Sequence, residues 1–274
     1  MSATNLLICP ICRLSLFQLD KALKCERGHS YDFAKSGYIN LLSPGKMNNA
    51  KAGDSKEMIR ARSDFFSCGA YGKINDKICD LVCEFEPQVV IDAGSGEGYY
   101  TNAVARRASG ATVIGFDMSK HGCESASKAS RRLGLDSLFC VGNIFELPLH
   151  NECADMVINM FAPTAHEEFH RVLKADGHLI VVSAGEHHLE GLKRVLYDEV
   201  YLNEADTPSY EGFELVGKEN LSYKATIDGQ EAIWALFQMT PYYHRTSLAD
   251  KAKLEVLDTL TTTVEVDFLI YKKI

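Results

Sequence analysis

The chain has 274 residues, 46% of them apolar, enough to bury a full α/β core and still carry a small appended module. Its longest apolar runs, such as HLIVVSA over residues 178–184, fall far below the roughly 20 residues of a membrane span, and the N-terminus lacks a basic-then-apolar export pattern. Nine cysteines, an odd number, and a net charge of -8 speak against a disulfide framework and a uniformly basic nucleic-acid binder, and fit a soluble protein of a reducing cytoplasm.

The charge is unevenly divided. Residues 1–75 hold 11 Lys and Arg against 6 Asp and Glu, a balance of +5, which leaves -13 on the remainder. An acidic body thus carries a basic head, and local patches rather than totals decide attraction to phosphate.

In the head, Cys9, Cys12, Cys25 and His29 give C-x2-C-x12-C-x3-H, four soft or borderline ligands at finger-like intervals. A C-x2-C turn aims two thiolates at one tetrahedral ion, and the second pair returns after enough chain for a short hairpin, so zinc is the expected occupant. A redox C-x-x-C would open a helix after a strand, a context absent here. Four ligands leave no open position, which makes the site structural rather than catalytic. With few apolar residues between the ligands, metal binding is expected to supply much of the folding free energy. Cys68, Cys79, Cys83, Cys123, Cys140 and Cys153 read as small buried hydrophobes.

Tyr31, Phe33 and Tyr38 then interleave with Lys35, which suits either stacking on RNA or packing against the zinc hairpin. Residues 43–66 begin as loop and become a helix with Asp54 or Ser55 as N-cap. Lys46, Lys51, Lys56, Arg60 and Arg62 follow a phosphate backbone or serve solubility alone.

The body opens with VVIDAGSGEGYYTNAVA over residues 89–105. Its buried parallel strand ends in Asp92, and Gly94, Gly96 and Gly98 let the backbone approach a ligand before a helix begins. The pattern is G-x-G-x-G, and the third glycine of a dinucleotide fingerprint is here the bulky Tyr99, so a nicotinamide dinucleotide is disfavoured. A second strand ends in Asp117, about 20 residues after the glycine turn, where a carboxylate accepts from ribose hydroxyls. Asn143 and Ile144 close a third strand and suit an adenine edge and face. A fourth strand, ADMVINMF, and a fifth, HLIVVSA, follow. This series resembles the S-adenosylmethionine site of class I methyltransferases. Ala175, Asp176 and Gly177 stand where that family usually has Pro-Gly-Gly, a departure confined to the turn. The implied fold is a Rossmann-like, seven-stranded, mostly parallel sheet with a small N-terminal zinc-binding domain.

Together CPICRLSLF, CERGHSYDFAKSGYINLL, GDSKEMIRARSDFFSCGAYGKI, IDAGSGEGYYT and QMTPYYHR resemble the bacterial guanine-N1 methyltransferases of large-subunit (23S) ribosomal RNA over nearly the whole chain. The resemblance implies zinc at Cys9, Cys12, Cys25 and His29, and S-adenosylmethionine contacts at Tyr71, Gly96, Glu97 and His188. Of these last four, Tyr71 and His188 are not reached by spacing alone. It also implies a homodimer acting on a ribosomal RNA hairpin. The expected organisation is a zinc-binding RNA-recognition domain over residues 1–45, a linker and helix over 46–75, and the methyltransferase domain over 76–274.

Methylation of N1 requires a guanine extruded from its stack, and loss of the N1 proton. After the fourth strand, NMFAPTAHEEF offers Asn159, Phe161 and His166 as candidates, with Phe161 suited to stacking on the flipped base. Glu167 and Glu168 resemble a solvated helix face, and the proton acceptor stays open. Residues 186–274 are expected to supply a helix, a final strand and a substrate-side lid, with Tyr242, Tyr243, His244 and Arg245 facing RNA or the core. Two other functions fit the same features: a small-molecule methyltransferase, or a non-catalytic RNA-binding assembly factor.

Overall fold

The computed structural model describes residues 2–43, 53–204 and 206–274. Lys46, Lys51 and the domain boundary expected after residue 45 lie outside the described residues. The head forms a three-stranded antiparallel sheet from β1 (Phe17–Leu19), β2 (Ala22–Lys24) and β3 (Ser30–Asp32). Asp20, in the left-handed region at φ 53°, makes the reversal between β1 and β2.

The next strand, β4 (Ile39–Asn40), leaves the head and joins the main sheet. Helices α1 (Lys56–Ser67) and α2 (Gly72–Glu84) follow. Ser55 caps α1 by accepting from the Met58 amide, which decides between the two N-caps expected there. The body then alternates β5 (Val89–Ala93), α3 (Tyr99–Arg107), β6 (Thr112–Asp117), α4 (Lys120–Arg132) and β7 (Leu138–Val141). After these come β8 (Ala154–Met160), α5 (His166–Val172), β9 (Leu173–Ala184) and α6 (Glu190–Leu196). The chain closes with β10 (Phe213–Asp228), α7 (Gln230–Gln238), α8 (Leu248–Ala252) and β11 (Thr259–Lys273).

The main sheet has eight strands in the order β10-β11-β9-β8-β5-β6-β7-β4. Seven come from the body, as expected, and the eighth is β4, which pairs parallel to β7 with Ile39 beside Cys140 and Asn40 beside Val141. The strands from β4 to β9 run parallel, whereas β11 is antiparallel to β9 and β10 antiparallel to β11. Every side chain of β5 is buried, as a central strand covered on both faces requires. From β5 the chain order runs outward through β6 and β7 on one side and β8 and β9 on the other. That reversal opens a crevice at the strand tips, the usual ligand position of an open α/β sheet.

The edge strand β10 was not foreseen. Its residues FELVGKENLSYKATID show one mostly exposed face; burial alternates from Gly217 to Asp228, and a register shift between Leu215 and Gly217 breaks the alternation only at the start of the strand.

One face of the sheet packs against α2, α6 and α7 through Ile74, Leu192 and Phe237. The other face carries Phe169 and Tyr271, and also Leu6, Leu7, Leu16, Leu23, Ile39 and Leu41 of the head, in one continuous cluster with Val89, Ile91 and Ile114. The Ile8 amide donates to Pro148 O at 2.9 Å and the His150 amide to Leu6 O at 3.1 Å. The head therefore shares the core of the body. Among the six cysteines read as buried hydrophobes, Cys79, Cys123, Cys140 and Cys153 are buried, Cys83 is half-buried and Cys68 is exposed at the end of α1.

Candidate cofactor cavity and metal cluster

Beyond β5 the backbone enters the left-handed region at Gly94, Gly96 and Gly98, with φ of 99°, 52° and 81°. A side chain on Gly94 would meet the Ala162 Cβ at 2.6 Å, and one on Gly98 would meet the Ala126 Cβ at 2.6 Å. Glycine is thus required twice over, for conformation and for space. Asp117 at the tip of β6 fastens the turn: its two carboxylate oxygens accept from the Gly96 amide at 2.8 Å and the Ser119 amide at 2.7 Å.

Beside this turn lies a cavity of about 510 Å³ whose walls include Tyr71, Asp92, Gly94, Gly96, Glu97 and His188. These are six of the ten positions expected to hold a cofactor. Asp117 touches the cavity only through the Gly96 backbone, and Gly98 faces a neighbouring groove between α1, α3 and α4. Asn143 and Ile144 do not line the cavity: the Asn143 side chain accepts from the Phe145 amide at 3.1 Å, and Ile144 is buried in the core.

Several further wall residues were not among the expected cofactor contacts. Met58, Arg62 and Phe66 roof the cavity from α1, Asn203 enters from the loop after α6, and Met239, Thr240, Pro241, Tyr242 and His244 enter from the end of α7. Arg62, grouped by sequence with the backbone-tracking cations, is instead ion-paired to Asp54 at 2.9 Å over the cavity. Of the aromatic run at 242–245, Tyr242 and His244 line the cavity, and Tyr243 packs edge-on against Trp234 and Phe237.

The cavity is acidic and incompletely satisfied. Asp92 Oδ1, Ser95 Oγ, Glu97 Oε2 and the Tyr100 hydroxyl are buried without a hydrogen-bond partner. Unpaired buried polar atoms cost free energy, so four of them converging on one space mark a place for a polar ligand. Burial pushes the Asp92 carboxyl up to about 7 despite the Thr101 hydroxyl it accepts from, and pushes Glu97 up to about 7 as well. A cationic ligand would restore both to the ionised form. The volume, the glycine cradle and the orphaned acidic oxygens together fit S-adenosylmethionine, which carries a sulfonium, an ammonium and a carboxylate.

On the far wall, Tyr71 Oη and His188 Nε2 lie 2.9 Å apart. Both side chains are buried, and burial holds the imidazole down to about 4.

The three catalytic candidates separate. Asn159 is fully buried, and its amide nitrogen donates to Ala93 O at 2.8 Å and Pro163 O at 3.2 Å while its oxygen accepts from the Thr164 hydroxyl at 3.0 Å. It thereby shapes the turn that carries Phe161. Phe161 is 44% exposed on the cavity wall and sits at φ 52°, a conformation that costs a bulky residue on the order of 1–3 kcal/mol. His166 begins α5, stacks on Tyr210 at 5.2 Å and does not line the cavity.

In the head, the ligand atoms of Cys9, Cys12, Cys25 and His29 all lie within 4.8 Å of one another. Cys9 Sγ and Cys25 Sγ are each 3.4 Å from His29 Nδ1, and Cys12 Sγ is 3.6 Å from Cys25 Sγ. A tetrahedron built with bonds of about 2.3 Å to sulfur and 2.0 Å to nitrogen has edges of about 3.5–3.8 Å, so the four residues fit a zinc ion. The Tyr31 hydroxyl lies 3.2 Å from Cys9 Sγ. Burial raises the Cys9 thiol, but that hydroxyl and the Cys12 and Ile11 backbones hold it down to about 6, in the thiolate form a metal needs. Tyr31 thus supports the ligands, and Tyr38 is buried beside Phe139. The exposed apolar side chains of the head are Ile11, Phe17 and Leu19.

Comparison with known proteins agrees with this geometry. Residues 86–240 match the methyltransferase domain family, and residues 7–49 match a zinc-ribbon family described as RlmA, N-terminal. A Bacillus subtilis (strain 168) protein, YxjB, provisionally assigned as a 23S rRNA (guanine-N1)-methyltransferase, is 32% identical over 97% of this chain and 96% of its own length. The 23S rRNA (guanine(748)-N1)-methyltransferase of Streptomyces fradiae is 32% identical over 85% of this chain and 84% of its own. The chain belongs to the family of zinc-ribbon-bearing 23S rRNA (guanine-N1)-methyltransferases.

Proposed function

We propose that this chain transfers a methyl group from S-adenosylmethionine to N1 of a guanosine in a 23S ribosomal RNA hairpin. The observation that carries the reading is the buried acidic cavity, with its orphaned Asp92 and Glu97 oxygens, whose wall ends in a strained, half-exposed aromatic ring at Phe161. The relatives named for this activity, and the metal cluster fused to the sheet beside β7, support it.

When bound, S-adenosylmethionine supplies a methyl group on a positively charged sulfur. Asp92 and Glu97, with their unpartnered oxygens, would hold the cationic parts of the ligand, and the Gly94–Gly98 turn would let the backbone approach it. Phe161 stacks on the extruded guanine, and Asn159 holds the Phe161 turn in place through Ala93 and Pro163. His166 has no part in this scheme. The N1 proton must pass to an acceptor at the cavity rim, where the exposed His244 side chain lines the wall. Holding the reacting atoms in line accounts for most of the acceleration, since near-attack positioning is worth about 7–11 kcal/mol.

The same reading gives a zinc-binding RNA-recognition domain over 1–45, a linker and helix over 46–75 and a catalytic domain over 76–274, in a cytoplasmic homodimer. The outer edge of β10, which pairs with no strand among the described residues and exposes Leu215 and Val216, supports self-association, which light scattering tests. The decisive assay incubates the zinc-loaded protein with labelled S-adenosylmethionine and unmodified 23S rRNA. Label recovered as 1-methylguanosine is expected. Label on uridine or cytosine, or none from folded protein, rejects the assignment.

A further inference from the structure

The cofactor cavity has a neighbour across the glycine turn. A groove of about 600 Å³ runs between α1, α3 and α4, and only Phe66 and Glu97 line both spaces. Its volume falls within the range of about 300–1,000 Å³ usual for ligand sites, and the methyl transfer makes no use of it.

The rim of the groove is cationic, although residues 76–274 carry a net charge of -13. Arg106 in the last turn of α3, and Lys128 and Arg132 of α4, are exposed along it. Lys128 is paired with Glu124 at 2.7 Å, whereas Arg106 and Arg132 have no ion-pair or hydrogen-bond partner among the described residues. A cation is favoured in the last turn of any helix, so the rim by itself names no ligand.

The interior is more selective. Asn102 is 5% exposed, and its Nδ2 donates to Ala126 O at 3.2 Å, which leaves Oδ1 as a buried acceptor without a donor. Asn75 Oδ1 is likewise buried and unpaired. Beside them the Phe66 and Tyr99 rings stack with centroids 4.2 Å apart and planes 3° from parallel. An inorganic anion would meet the guanidiniums and leave both amide oxygens unsatisfied. A ribonucleotide meets all three demands: a phosphate for the arginines, a base N–H or 2′-hydroxyl for the amide oxygens, and a flat ring for the aromatic surface.

The groove also adjoins the head. Arg131, next to Arg132 on α4, donates to Lys35 O at 2.7 Å, and the Lys35 side chain is exposed. An RNA strand lying against the head at Lys35 enters the groove by crossing one turn of α4. We propose that the groove between α1, α3 and α4 is a second RNA site, which takes a single-stranded segment with its phosphates at Arg106 and Arg132 and a base or ribose donor at Asn75 and Asn102. The choice of RNA rests on the function proposed above.

Fluorescence anisotropy of a fluorescein-labelled single-stranded RNA heptamer with the zinc-loaded full chain tests this. Arg106→Glu combined with Arg132→Glu should weaken binding roughly ten- to a hundredfold at about 0.1 M salt and make the slope of log Kd against log salt shallower by about 1.4, the share of two phosphates. Lys77→Glu combined with Arg107→Glu makes the same charge change at residues that are paired to Glu219 and Asp80 outside the groove, and should cost less than about threefold. Asn75→Ala should weaken binding about three- to tenfold with the slope unchanged. Affinity for S-adenosylmethionine should stay within about threefold in every variant, since none of these residues lines the cofactor cavity.

Equal losses in the two double variants, or no binding of the heptamer by the parent, overturn the proposal. So does competition by a seven-residue polyglutamate peptide as effective as that by unlabelled heptamer, which would make the groove a protein-docking site. Groove-dependent binding in a chain that forms no 1-methylguanosine would reject the function and keep the groove. Formation of 1-methylguanosine by the Arg106→Glu, Arg132→Glu chain with an unchanged KM for 23S rRNA would do the reverse.

Discussion

The head and the body stand against each other as two ways of holding residues still. Within residues 2–43 the strands are two or three residues long, β1 is exposed throughout, and the fixed points are four ligand atoms and the bridge of β4 to β7. In the body, β5 and β7 are buried at every position. The head lacks apolar mass of its own and borrows it, placing Leu6, Leu7, Leu16, Leu23 and Ile39 into a cluster whose other members are Val89, Ile91 and Ile114. The lesson is that metal and body are joint conditions for the head: zinc closes one end, and the sheet edge closes the other.

The largest effect that would break this comparison comes from the ligands. Replacing Cys9 and Cys12 with serine removes metal binding worth on the order of 10 kcal/mol at the head. Methylation of 23S rRNA should be abolished, while calorimetry should still detect S-adenosylmethionine bound by the body; loss of both would show that the body cannot stand without the head.

Ile39→Ala comes next. Ile39 is fully buried at the strand that links the two regions, so its truncation should cost about 2–5 kcal/mol and lower the melting temperature and the zinc affinity together. A fall in only one of the two would mean the regions are not energetically joined.

Phe161 sharpens the contrast within the body. Phe161→Gly should relieve left-handed strain, raising the melting temperature by a few degrees for about 1 kcal/mol, and yet reduce methylation through a raised KM for RNA with S-adenosylmethionine affinity unchanged. An unaltered KM would remove Phe161 from the RNA side.

Smaller still is a pH effect at the cavity. Asp92 and Glu97 are held at about 7 by burial, well above an unfolded carboxyl, so the stability that comes from their neutral forms is present in acid and lost as pH rises through about 7. Affinity for a cationic ligand must run the other way, rising roughly tenfold between pH 5.5 and 7.5 in calorimetry. A flat profile would show that these carboxyls do not face the ligand's charge. The smallest effect is Ser55→Ala, which removes the cap of the roofing helix α1 at a cost of about 1 kcal/mol, read as a modest loss of cofactor affinity and melting temperature.

Legibility followed the range of the interaction. The zinc ligands were readable because each pair is local, three or four residues apart in the chain. The glycine turn was readable because Gly94, Gly96 and Gly98 carry a backbone demand that other residues meet only with strain. Tyr71 and His188 resembled ordinary packing residues, and only the fold sets their side chains 2.9 Å apart. Arg62 looked like one more surface cation until α1 was laid over the glycine turn. Asn143 stood at the right strand tip, but its side chain caps its own 3₁₀ turn.

What the sequence determined by itself was the chemistry available: a tetrahedral Cys3His donor set, a nucleoside-type turn after a buried strand, and an acidic body behind a basic head. Local spacing and backbone conformation suffice for these, because they involve neighbours in the chain. Tertiary structure alone decided that the head completes the sheet through β4, that α1 and the end of α7 wall the cavity, and that Tyr71 and His188 meet on its far side. Those outcomes depend on groups far apart in sequence meeting in a medium without water, where each donor must find an acceptor and each apolar face a cover.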